Sequence, residues 1–144
     1  DTFFSVDIMK ELLLEPTRRI FEAIHKRGVK VEFHNCGHID RFIPYIIEEL
    51  QPDMMEIQVL NDIKHIMSTY GDRVTVEYAP DPFFINDPDV TKEQLKAYAR
   101  EIVDNYGAHV VKGSGVILNI NANDPEVYKV FETEAIEYSM KMYR

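Results

Sequence analysis

A single cysteine, Cys36, serves the whole chain. An internal disulfide framework is thereby excluded, nothing points to an oxidising compartment, and a cytoplasmic location is expected. Long apolar runs are missing too: none approaches the ~20 residues of a membrane span, and no signal-peptide pattern opens the chain. Cations are scarce. Sixteen Lys and Arg stand against 25 Asp and Glu, for a net charge of −9, so no basic face is available for nucleic acid or anionic lipid. What remains is an ordinary globular composition, 45% hydrophobic and 28% charged, in 144 residues, the length of one domain with a real core. The chain opens at Asp1 without Met, inside an already structured pattern, and the expectation is a processed product or a piece of a longer protein.

Strand and helix patterns alternate along it. Ser5 to Arg27 reads as a helix on the period of Ile8, Leu12, Ile20 and Ile24, kinked or divided at Pro16 and stopped by Gly28. VKVEF is a β-branched and aromatic strand. Ile39, Phe42, Ile43, Ile46, Ile47 and Leu50 then define an amphipathic helix with Asp40 as N-cap and Pro44 in its first turn. MMEIQVL is the second strand, Asp62 to Tyr70 a short helix ended by Gly71, and VTVEYA the third strand. The loop PDPFFINDPD follows. A helix then opens on the capping box Thr91–Gln94 and closes at Gly107, GVILNI is the fourth strand, and Asp124–Pro125 starts a final helix reaching Tyr143.

Such alternation means an α/β fold of parallel strands with crossover helices. Four units fit a small doubly wound sheet or half of a (β/α)8 barrel, which needs about 250 residues when whole. Either places function at the C-terminal ends of the strands. His34 and Cys36, Gln58 to Asp62, Tyr78 to Asp81, and Asn119 to Asn121 lie at such ends and should converge on one rim.

The segment KVEFHNCGHIDRF carries the chemistry. His34 and Cys36 are two apart at a strand end, so imidazole and thiol share a face. A metal reading takes them as two ligands, with the rim carboxylates Glu56, Asp62, Glu77 and Asp81 as candidates for a third and no second Cys on offer. A nucleophile reading makes His34 the base for Cys36, without an evident oxyanion-stabilising element. The plain alternative is a buried thiol beside a histidine satisfied by backbone.

HNCGHIDRFIPYIIEELQPD resembles the H-x-C-G segment of the uroporphyrinogen decarboxylase superfamily, which includes zinc-dependent methylcobamide methyltransferases. The resemblance runs the length of the chain, through YGDRVTVE, TKEQLKAYAREIVDNYG and GSGVILNINANDPEVYKVFETEAIEYS. It implies the C-terminal half of a TIM (β/α)8 barrel. It further implies a methyltransferase in which zinc, held by His34 and Cys36, activates a small-molecule thiol to take a methyl group from a corrinoid on a separate protein. The family's third ligand is a Cys just after the last strand; Ala122 stands at that place here. The alternative within the superfamily is uroporphyrinogen III decarboxylase, a lyase of porphyrin biosynthesis acting on a tetrapyrrole. Its closing N-L-G-H-G segment matches Asn119-Ile120-Asn121-Ala122 only at the Asn. A third alternative is a fragment without activity of its own.

The remaining residues have plainer expectations. Tyr78, Asp81 and Asn119 are candidate substrate contacts at the rim, and for the first two loop packing and capping are the alternative. His25, His65 and His109 are expected exposed on helices, His38 as a solvent or capping residue, Met54 and Met55 in the core, and Phe83 and Phe84 as loop anchors. A half barrel also leaves open sheet edges, so a homodimer through them is expected.

Overall fold

The computed structural model describes residues 2–111 and 116–143, with residues 109–111 described in their backbone alone. The expected start of the fourth strand at Gly115 and the side chain of His109 lie outside the described residues. Helix α1 runs through Val6–Ile8, a π-helical stretch Met9–Leu14, and Glu15–His25. Pro16, which has no N–H to give, follows the π stretch directly, so the wider turn absorbs the missing bond and the helix is not divided. Strand β1 is Glu32–Asn35; α2 is Ile43–Tyr45 continued by a π-helical Ile46–Leu50. Then come β2 (Met54–Gln58), α3 (Ile63–Tyr70), β3 (Thr75–Ala79), the one-turn α4 (Pro82–Ile85), α5 (Lys92–Val111), β4 (Val116–Leu118) and α6 (Pro125–Met142).

All four strands are parallel, in the order β1-β2-β3-β4. That order has no switch point, the reversal of direction that defines a doubly wound sheet. Right-handed crossovers that always step the same way lay every helix on one side, and burial agrees. Met55, Ile57 and Val76 are fully buried and Tyr78 packs on Tyr106 of α5, while Glu56, Gln58, Thr75 and Glu77 alternate with them on the other face. Each such apolar side chain contributes about 1.5–3 kcal/mol by leaving water. One face of the sheet is therefore core, and the other is polar.

Local details differ from expectation in three places. β1 begins at Glu32, because Val31 spends its N–H on the Asp53 carboxylate and its carbonyl on Asp53 N and Met54 N before the ladder starts. Asp40 does not cap α2; its carboxylate accepts from Asp62 N and faces His38 Nε2. Gly107 does not close α5, which continues to Val111. A Cβ at Gly107 would stand 2.4 Å from the Tyr143 ring, so this glycine admits the end of α6 against α5. The capping box at Thr91–Gln94 and the Asp124 cap of α6 form as the sequence indicates. No helix among the described residues is long and apolar enough to cross a membrane.

Candidate functional site

The polar face is set by strand register. His34 pairs with Glu56, Glu56 with Glu77, and Glu77 with Ile117, so these four side chains form one row across the sheet. Strands about 4.8 Å apart bring neighbouring side chains of a row within hydrogen-bond reach. Glu32, two residues before His34, joins from the same face, and its carboxylate lies within 4.8 Å of those of Glu56 and Glu77.

At the C-terminal rim the row ends in a chain of three groups. Glu56 Oε2 lies 2.5 Å from His34 Nδ1, and His34 Nε2 lies 3.1 Å from Cys36 Sγ. A carboxylate only accepts, so it fixes the proton on Nδ1 and leaves the Nε2 lone pair facing the thiol. Both His34 and Cys36 are exposed, which sets aside the reading of a buried structural thiol. The other Glu56 oxygen accepts from Asn119 Nδ2 at 3.4 Å. Burial pushes the Glu77 carboxyl up, helped by the charges of Glu32 and Glu56 and a hydrogen bond to Glu32, against a smaller opposing bond from Asn119. Three carboxylates thus crowd one corner of the polar face.

The loop that carries Cys36 is held by two amides from the end of β2. Gln58 Oε1 accepts the Gly37 N–H at 2.8 Å. Asn61, buried, accepts the Ile39 N–H through Oδ1 at 2.7 Å and donates from Nδ2 to Gly37 O and Gln58 O. Gly37 sits at φ +98 with open space where a Cβ would go, so backbone conformation and not crowding calls for glycine there.

The other residues singled out in the sequence go elsewhere. Tyr78 turns to the helix side, where its hydroxyl meets that of Tyr98 at 3.3 Å; burial and that bond raise its pKa. Asp81 caps α4 by accepting from Phe83 N. Asn119 does reach the polar face. Glu56 reaches His34 from the ring nitrogen opposite Cys36, and Glu77 lies one strand further on, its carboxylate within 4.8 Å of those of Glu32 and Glu56. Phe84 anchors its loop on Tyr98 while Phe83 is exposed, and Met54 lies on the open face although Met55 is core. His25 is not a free surface residue but pairs with Asp53 at 2.9 Å; His65 and His38 are exposed. Gln58 and Asn61 lie on the expected rim but in a role, holding the Cys36 loop, that no motif marked, and Glu32 was not singled out at all. Glu32 was within reach, since it shares strand parity with His34. A lone Asn in a turn carries no pattern.

A scan against protein-family models finds no match for this chain, and a search of the curated proteins finds none either.

Proposed function

We propose that the chain is half of a (β/α)8 barrel resembling the uroporphyrinogen decarboxylase superfamily, with a zinc-dependent methyl transfer to a thiol at its rim. The observation that carries this is the Glu56–His34–Cys36 chain: a carboxylate on Nδ1, with Nε2 and Sγ side by side at 3.1 Å on a strand's C-terminal end. A carboxylate behind a ligating imidazole is the usual support of a metal-bound histidine. Sequential parallel order, with helices on one side and polar residues on the other, supports the half barrel.

The donors present fit zinc as a two-residue anchor. Ligand bonds of about 2.0–2.3 Å in tetrahedral array set N and S about 3.5 Å apart. The observed 3.1 Å needs only a small swing of the exposed Cys36 side chain. Glu56 acts as the support of His34 and not as a third ligand. Asp81 is spent on its cap, and Glu77 stands beyond Glu56, one strand further from His34. When bound, zinc lowers the pKa of a coordinated thiol and keeps it as the nucleophilic thiolate. This chain's residues hold and orient: Glu56 fixes the tautomer of His34, and Gln58 and Asn61 fix the Cys36 loop. The methyl donor in this reading is a corrinoid carried by a separate protein.

A second reading has one specific support. Cys36, His34 and Glu56 also stand in the order of nucleophile, base and orienting carboxylate. Against it, the backbone N–H that follows the thiol, on Gly37, is taken by Gln58 and is not free to hold an oxyanion. Elemental analysis after growth with zinc separates the two. About one zinc per chain, lost in Cys36→Ala, supports the metal reading; a metal-free protein with a rapidly alkylated Cys36 supports the nucleophile.

The open edges of the sheet, at β1 and β4, are where a second copy would close the barrel. Ahead of β1 the exposed Ile20 and Val29 lie among Arg19, Arg27 and Lys30. Beside β4 the exposed Ile136, Met140 and Met142 lie on α6 with Glu126, Glu132 and Glu137. Light scattering should report a dimer that weakens with salt; a monomer across micromolar concentrations contradicts this assembly.

A further inference from the structure

Asn61 is the only polar residue buried among the described residues, and it belongs to no strand or helix. A buried amide must have partners. Asn61 finds three, and two of them, Ile39 N and Gly37 O, lie on the loop that leaves β1. Gln58 binds that loop from the same side, at Gly37 N. The residue that follows Cys36 is thus clamped at both its N–H and its C=O. Only an amide side chain offers an acceptor and two donors together, so an apolar residue of similar size could fill the space but not hold the loop.

We propose that Asn61 is a positioning residue for Cys36: through Gly37 it fixes where the thiol stands relative to His34 Nε2. The inference rests on the zinc reading for its ligand, yet the placement of the thiol is measurable without metal. Supporting groups around metal sites typically change affinity 10–100-fold when removed. Loss of the Asn61 clamp frees Cys36, the ligand with the shorter lever to the backbone, while His34 keeps its Glu56 support.

The test compares wild type, Asn61→Ala, Gln58→Ala and Asp53→Ala, the last a destabilising change at the opposite end of the sheet. Zinc affinity is measured by competition with a chromophoric chelator, and the metal-free alkylation rate of Cys36 by iodoacetamide is measured at one neutral pH. Asn61→Ala should weaken zinc 10–100-fold and change the alkylation rate severalfold, with Gln58→Ala moving both in the same direction by less. Asp53→Ala should leave both unchanged while it remains folded. If Asn61→Ala does not fold, Gln58→Ala alone decides. Zinc affinity within twofold of wild type and an unmoved alkylation rate, in the folded variants, overturn the proposal. If wild type binds no zinc, the metal reading fails by itself, and the alkylation rates still decide whether Asn61 positions the thiol.

Discussion

Both ends of this sheet carry a carboxylate paired with a histidine, and they do different things. At the N-terminal end Asp53 accepts from Lys30 Nζ at 2.6 Å, Val31 N at 2.9 Å and His25 Nε2 at 2.9 Å. Burial alone would raise its pKa, but these partners outweigh it and hold the carboxyl at about 2. The partners of this carboxylate are an ammonium, a backbone N–H and an imidazole of the chain itself. At the C-terminal end Glu56 holds only one nitrogen of His34, and the other faces an exposed thiol. A carboxylate–imidazole pair is thus no sign of function in itself. What marks the rim pair is that the second nitrogen of its ring faces a reactive, exposed thiol.

Exchanging the carboxylates tests this contrast. Glu56→Gln should weaken zinc 10–100-fold by loosening His34, with little change in melting temperature. Asp53→Ala should do the reverse, costing about 1–3 kcal/mol in denaturant titration with zinc affinity intact. If Glu56→Gln destabilises as much as Asp53→Ala, the rim is structural and the contrast collapses.

A pH titration sharpens the comparison at lower magnitude. The Asp53 pKa is depressed from the usual 3.8 to about 2, so its contribution is full above about pH 4 and fades as pH falls through about 2. That acid loss should be absent from the unfolding curves of Asp53→Ala. The smallest expected effect belongs to the polar face. Glu77 is raised, so its cost to stability sets in as pH rises through the ordinary carboxyl value of 4.5 and is complete above the raised one, and Glu77→Gln should gain about 0.5–1 kcal/mol at neutral pH. The gain should vanish at pH values where the carboxyl is protonated in both states.

Much of the fold was legible because it rests on local rules. Thr91 with Gln94 and Asp124 with Pro125 each mark a helix start that the structure keeps. The strand alternation Val74, Val76, Tyr78 against Thr75, Glu77, Ala79 already separated core from open face, and it would have turned Tyr78 inward had parity been applied. Gly107 misled because a stop signal and a close-packing site look alike until Tyr143 is in place. Asp40 misled because its partner, Asp62 N, lies on another strand's end, 22 residues away. Of the site, His34 and Cys36 were legible from spacing. Their supports Glu56 and Asn61 depend on register and on a turn, which spacing does not encode.

The most direct test of the central claim is X-ray absorption at the zinc edge on the zinc-loaded chain. The account requires one sulfur at about 2.3 Å with nitrogen or oxygen completing the shell. A shell without sulfur would place the ion on the Glu32, Glu56 and Glu77 carboxylates and contradict a rim built on Cys36.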